Sequence, residues 1–283
     1  MTDLQSVELL HDPRGFATLW LNRPEKNNAF DGQMIGELIT ALAHVRADAS
    51  LRFLLLRGRG KHFSAGADLA WMRQSAELDY NSNLDDAHEL AELMYSLAHL
   101  EIPTLAVVHG AAFGGALGLI SCCDIAIGSD DAQFCLSEVR IGLAPAVISP
   151  FVVQAIGERA ARRYALTAER FSGSRAREIG LLAECYPLDD LDQQVRHWTD
   201  NLLLNSPQAM RASKDLLREV GSGVLTPALR DYCEKAIARI RVSAEGQEGL
   251  RAFLDKRTPA WKPDFTSDST INSTINSTKE PRS

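Results

Sequence analysis

Residues 102–128 read IPTLAVVHGAAFGGALGLISCCDIAIG. His109 and Asp124 are the only side chains in this run that carry a charge or an imidazole. The run is long enough to invite a membrane-span reading, which asks for about 20 apolar residues. Pro103 near its start, and Gly110, Gly114, Gly115, Gly118 and Gly128 within it, argue otherwise. Glycine and proline punctuate local structure, so the run divides. It reads as a buried strand over 104–108, a tight turn over 109–115, a helix over 116–123 and a short strand over 124–128.

The alternation continues on both sides. Upstream, residues 7–10 and 17–21 read as strands around the turn HDPRG. Asn22-Arg23-Pro24 breaks that pattern. Asp31 is a good helix N-cap, followed by Met34, Ile35, Leu38, Leu42 and Val45 at helical spacing. Residues 53–57 form an apolar strand, 58–66 a glycine-rich basic loop, and 85–100 a helix with Leu90, Leu93, Met94 and Leu97 on one face. Downstream, 133–136 is another strand. The expected class is therefore α/β, a core of repeated β-β-α units. From about residue 150 the pattern turns helical, over 148–156, 158–167, 174–179, 191–204, 208–220 and 227–241. The chain divides into a core domain over 1–200, a C-terminal helical oligomerisation subdomain over 201–263 and a tail over 264–283. The STINSTINST repeat in that tail predicts disorder.

Composition narrows the function. The formal net charge is -7, from 30 Lys+Arg against 37 Asp+Glu. Nonspecific nucleic-acid binding needs a positive surface to displace counterions, so no nucleic acid is expected as a partner, and no membrane either. Five cysteines without a CxxC spacing argue against both a disulfide framework and a zinc site. The acidic, polar start MTDLQSVELLHDPRG lacks a signal-peptide pattern. A reducing, cytoplasmic setting is expected.

Two glycine-bearing turns carry the candidate chemistry. FSAGAD (63–68) follows the strand over 53–57, and GAAFGG (110–115) follows the strand over 104–108 and opens a helix. Backbone N–H groups at a helix start are unpaired and carry partial positive charge. Glycine lets a ligand come close to them. Two such amides converging on one oxygen would stabilise an enolate. Taken singly, each turn is more often structural, and GAAFGG has neither dinucleotide-binding spacing nor a P-loop lysine. Glu138 beside Arg140, taken alone, reads as a solvated surface pair.

In context the chain resembles the enoyl-CoA hydratase/isomerase (crotonase) superfamily. The likeness is carried by LNRPEKNNAF (21–30), GKHFSAGADL (60–69), VHGAAFGGALGL (108–119), CDIAI (123–127), AQFCLSEVRIGLAP (132–145), RFSGSRAREIGLLAE (170–184) and AFLDKRTPAW (252–261). It spans about residues 5–262. It implies a crotonase-like core with C-terminal helices. It also implies an oxyanion hole from the amides of Ala67 and Gly115, with Glu138 as the acid/base group. Substrate and coenzyme A contacts are implied at Lys26, Asn28, Ala29, Ala65, Asp68, Leu69, Gly114 and Gly118. Phe253 and Lys256 would meet the coenzyme from a neighbouring subunit. The implied partners are an acyl-CoA and further copies of the chain, in a homotrimer or a hexamer. No metal is implied, and no cofactor beyond the coenzyme A carried by the substrate.

One departure bears on the reaction. The best-known hydratases of this superfamily carry a second glutamate three residues after the second oxyanion glycine, and here that position is Gly118. The segments AAFGGALGL and SEVRIGLAPAVISPFVV resemble a bacterial branch that hydrates 3-methylglutaconyl-CoA, from leucine, or isohexenylglutaconyl-CoA, from acyclic terpenes. That branch is similar in having glycine at this position. The expected function is hydration of a branched glutaconyl-CoA, with the substrate's distal carboxylate, or a carboxylate elsewhere in the site, holding the water. The alternatives are a Δ3,Δ2-enoyl-CoA isomerase, which needs one base only, and an RNA-binding relative, which the net charge disfavours.

Overall fold

The computed structural model describes residues 4–221 and 223–262, so the tail expected to be disordered lies outside the described residues. Strands β1 (Val7–Asp12) and β2 (Phe16–Leu21) form a hairpin. Helix α1 (Gly32–Ala47) starts at Asp31, whose side chain accepts the Met34 N–H at 2.9 Å. It buries Met34, Ile35, Leu38, Ala41, Leu42 and Val45, the face its spacing predicts. There follow β3 (Leu54–Gly58), α2 (Leu69–Ser75), α3 (Tyr80–Ala98), β4 (Thr104–Val108), β5 (Ala111–Phe113), α4 (Gly115–Cys122), β6 (Ile125–Ser129) and β7 (Gln133–Cys135). The rest is α5 (Ser149–Thr167), β8 (Phe171–Ser172), α6 (Gly173–Glu178), β9 (Glu184–Tyr186), α7 (Leu188–Leu203), α8 (Pro207–Gly221), α9 (Pro227–Val242) and α10 (Ala244–Leu254).

The main sheet runs β1-β2-β3-β4-β6-β9 and is parallel throughout except for the β1–β2 pair. A parallel sheet is covered on both faces, and its strands are apolar on both. All five residues of β4 are buried, and they alternate between two cores. Ala106 and Val108 join the larger core with α1, α3 and α4, whereas Leu105 and Val107 join a smaller one with Phe53, Leu55 and Leu191 of α7. A second sheet, β5-β7-β8, carries the loops of the site. This is the mixed α/β class expected, a parallel-dominated sheet followed by C-terminal helices.

Several elements depart from expectation in detail. The turn over 109–115 contains β5, because Ala111–Phe113 pairs with Gln133–Cys135. Helix α2 has no buried residue and hence no apolar period to betray it; it forms because Asp68 accepts the N–H groups of Ala70 and Trp71. Helix α3 starts five residues early, capped by Asp79. Helix α10 follows α9 after Ser243, which caps it. The expected break between 156 and 158 is present, since Gly157 interrupts α5 with φ 75°.

The C-terminal helices dock where the parallel strands begin. Arg52, just before β3, donates to the carbonyl oxygens of Leu203, Asn205 and Trp261. Lys214 of α8 donates to Ile102 O at 3.0 Å and pairs with Asp124 at 2.7 Å. Asp124 also accepts the Thr104 N–H and hydroxyl. Among the described residues no helix is long and apolar enough to cross a membrane.

Candidate active site

The two glycine turns lie past the opposite ends of those strands, where ligands bind in α/β sheets. The turn over 63–68 meets Phe30 in a parallel bridge. Phe30 N–H donates to Gly66 O, and Asp68 N–H donates to Phe30 O, each at 2.7 Å. In a parallel ladder the residue between two such bonds turns its own N–H the other way. That residue is Ala67, which is exposed. Its N–H has no acceptor among the described residues.

A second parallel bridge, Ser64 to Ala112, ties this turn to the other. Ser64 N–H donates to Ala111 O at 3.0 Å, and Phe113 N–H donates to Ser64 O at 3.1 Å. Gly114 N–H donates to Cys135 O at 2.9 Å. Gly114 adopts φ 54°, ψ −123°, a conformation that needs glycine. The kink puts Gly115 at the first position of α4, where its N–H is free of the helix ladder. A Cβ on Gly115 would stand 3.5 Å from the Phe30 ring. The Ala67 bridge and Gly115 therefore meet the same phenylalanine.

Glu138 opens a 3-10 turn after β7. Its Oε1 lies 3.3 Å from where a Cβ on Gly114 would be. Its Oε2 is buried and has no hydrogen-bond partner among the described residues. Burial pushes its carboxyl above the usual carboxylate range. Arg140 does not form the surface pair that sequence adjacency suggests; its guanidinium donates to Ala168 O at 2.6 Å. A half-buried carboxylate with an unsatisfied oxygen, beside the Gly114 kink, has the chemistry to give or take a proton.

The remaining sequence-predicted positions sort differently. Lys26 and Leu69 are exposed on the rim of the 63–68 turn, and Ala65 N–H donates to Asn27 O. Asn28 is fully buried, so its side chain is not a ligand contact. It accepts the Arg23 N–H and donates to Arg59 O and His62 O, each at 2.8 Å. Ala29 is buried, and its carbonyl accepts from Arg23. The Asp68 carboxylate caps α2, which with Arg23 holds its pKa down against the desolvation that opposes this. Gly118 faces the core: a Cβ there would stand 2.3 Å from Ile148 Cγ2 and 3.0 Å from Met94 Cε. No side chain fits at the position where a second glutamate was sought. Phe253 and Lys256 are exposed, on α10 and its C-terminal turn; α10 meets Trp261 through Gly249, and Trp261 O accepts from Arg52 at the far end of the sheet. The chain does not bring them to its own Glu138. His62 and His109 are engaged with backbone, His62 Nδ1 accepting the Ala111 N–H and His109 Nε2 donating to Gly60 O.

Sequence reasoning missed Arg23 and Phe30. The signal for Arg23 was its place between a strand end and the acidic cap Asp31; nothing in the sequence singles out Phe30.

Comparison with known proteins gives a consistent result. The enoyl-CoA hydratase/isomerase family matches residues 12–264. A putative enoyl-CoA hydratase of Thermus thermophilus is 33% identical, over 86% of this chain and 96% of that protein. The 2,3-dehydroadipyl-CoA hydratase of Escherichia coli is 29% identical, over 86% of this chain and 94% of its own. Among solved structures, an enoyl-CoA hydratase from Shewanella pealeana superposes with a TM-score of 0.88 at 50% identity, covering 92% of this chain and 97% of that one.

Proposed function

We propose, since this chain belongs to the enoyl-CoA hydratase/isomerase family, that it adds water across the 2,3 double bond of a branched glutaconyl-CoA thioester. The amides of Ala67 and Gly115 would hold the thioester oxygen. Negative charge gathers there as water attacks the β-carbon and the π electrons move into the thioester. Preorganised donors of this kind are typically worth about 10²–10³-fold each in rate. Glu138 then handles the proton at the α-carbon, and burial raises its pKa, the direction that helps it hold a proton to deliver. The observation that carries this reading is the buried, unpartnered Oε2 of Glu138 beside Gly114.

The choice of a dicarboxylic substrate is supported by Gly118. Its contacts with Ile148 and Met94 leave no space for a second protein carboxylate at that position, so the water needs another acceptor. The free carboxylate of a glutaconyl ester would supply one. The Escherichia coli relative acts, by its name, on 2,3-dehydroadipyl-CoA, also a thioester with a free carboxylate. The same reading places the chain in the cytoplasm as a homotrimer or hexamer. Exposed Val242, Phe253 and Leu254 on α9 and α10 fit such an assembly, with Phe253 and Lys256 serving a neighbour's site.

The test is incubation with 3-methylglutaconyl-CoA and isohexenylglutaconyl-CoA in water enriched in heavy oxygen. One labelled oxygen in the product, lost in Glu138→Gln, is expected. No label from either ester, with turnover of 3-enoyl thioesters instead, would replace the hydratase by a one-base isomerase. Label retained in Glu138→Gln would remove Glu138 from the mechanism.

A further inference from the structure

We propose that Arg23 is a positioning residue for the reaction: its guanidinium, acting through Phe30, fixes the Ala67 amide relative to the Gly115 amide. The proposal rests on the oxyanion-hole reading above. One guanidinium reaches three acceptors. Nη1 donates to Ala29 O at 3.1 Å and to Asp31 Oδ2 at 2.5 Å, and Nη2 lies 3.6 Å from Asp68 Oδ2. Residues 29 and 31 flank Phe30, and residue 68 follows Ala67. The cation therefore grips both members of the Phe30–Ala67 bridge. That bridge sets the plane of the Ala67 peptide, and the Phe30 ring rests against Gly115. A shift of Phe30 moves one amide and frees the other.

Burial makes the grip effective. The Arg23 side chain is 17% exposed and that of Asp68 is 10%, so water and salt screen the pair less than a surface pair. Without the cation, the Asp31 and Asp68 carboxylates face one another, and like charges push residues 31 and 68 apart. Lysine cannot replace the fork, because an ammonium is a point charge and the guanidinium reaches three acceptors through two separate nitrogens. Misplacement of a reacting group by about 1 Å costs on the order of 10²-fold, so the effect should appear in kcat. Arg23 touches no substrate in this arrangement, and KM should move less.

The experiment compares the full-length wild type with Arg23→Ala, Arg23→Lys and Asp31→Asn. Asp31→Asn keeps the Oδ1 that caps α1, so the helix start survives while the contact to Arg23 weakens. The probe is a dimethylaminocinnamoyl thioester of coenzyme A, whose absorption moves to longer wavelength when its carbonyl is polarised. Alongside it, kcat and KM are measured for 3-methylglutaconyl-CoA. The expected result is a reduced shift in all three variants, and about 10²-fold lower kcat in Arg23→Ala with KM within a few-fold. Millimolar guanidinium should restore part of the shift in Arg23→Ala only. A full shift in all three variants, even with a lowered melting temperature, would overturn the proposal and leave Arg23 a structural residue. If the wild type binds the probe without any shift, the oxyanion-hole reading itself fails.

Discussion

The turn over 63–68 adds an ionic side-chain clamp to its backbone bridges, whereas the turn over 110–115 is held chiefly by backbone. Arg23 pairs with Asp68 in the first and with Asp31 beside Phe30, while Asn28 holds the approach to the turn through Arg59 O and His62 O. The second is a piece of sheet, pinned by Ser64, Gln133 and Cys135 and kinked at Gly114. The two amides proposed to share one oxygen are thus positioned by different physics. Polar clamps can be retuned one contact at a time and respond to charge. A glycine kink inside a sheet either fits or fails.

Four substitutions probe that difference, from the largest expected effect to the smallest. Gly114→Ala should have the largest effect of any backbone change, and it should appear in turnover. It forces a side chain into φ 54°, ψ −123° and brings Cβ to 3.3 Å from Glu138 Oε1. A loss of about 10²–10³-fold in kcat is expected, as for removal of one oxyanion donor. A kcat within a few-fold of wild type would mean that the second turn is as adaptable as the first.

Asn28→Asp strikes the clamped turn through stability. It keeps the acceptor for the Arg23 N–H but sets a carboxylate oxygen against the carbonyls of Arg59 and His62. A destabilisation on the order of 3 kcal/mol at neutral pH is expected from the unpaired groups. Urea titration should show part of it recovered as the new carboxyl is protonated at low pH. Gly118→Ala sits behind both turns, in the core, and overpacking against Ile148 should cost about 1–3 kcal/mol. Adding Ile148→Val should recover some of that loss; no recovery would mean that the helix backbone, not Ile148, resists the methyl.

Glu138→Gln gives the smallest stability change and the most informative sign. Burial raises the Glu138 pKa in the folded chain above its unfolded value. The folded state then binds the proton more tightly, so this group's contribution to stability is present at low pH and is lost as pH rises through the folded pKa. Glu138→Gln should therefore melt higher than wild type at neutral pH, and the gap should close toward the ordinary carboxylate pKa. A variant that melts lower at neutral pH would mean that Glu138 is stabilised by partners, which would undo its reading as a strained acid/base group.

Legibility in the sequence followed the same division. The backbone-held turn was readable because glycines at 110, 114 and 115, after an apolar strand, have few other uses. The buried alternation of β4 and the Asp31 cap of α1 were readable for equally local reasons. The clamp was not, because Ala29, Asp31 and Asp68 become neighbours only when residues 30 and 67 pair across 37 positions of chain. Asn28 and Asp68 lie in the segments that suggest ligand contacts, but the Asn28 side chain is used by backbone, and the Asp68 carboxylate is shared between the start of α2 and Arg23. Gly118 was read as part of the substrate site, and only the contacts with Ile148 and Met94 show that it faces the core. Phe253 and Lys256 could not be placed by sequence, since which end of the sheet α10 meets depends on Arg52 and Trp261.

The strand order of the main sheet has a consequence for synthesis. In β1-β2-β3-β4-β6-β9 each strand joins the edge left by the one before it in that sheet. A chain leaving the ribosome can thus extend an existing edge without reopening the sheet, and domains fold N-terminal first during translation. Both turns and Glu138 have emerged by about the midpoint of the chain. Arg52 has no such sequence-local partner. It waits 209 residues for the carbonyl of Trp261, so the last helices to be made close the end of the sheet where its parallel strands began.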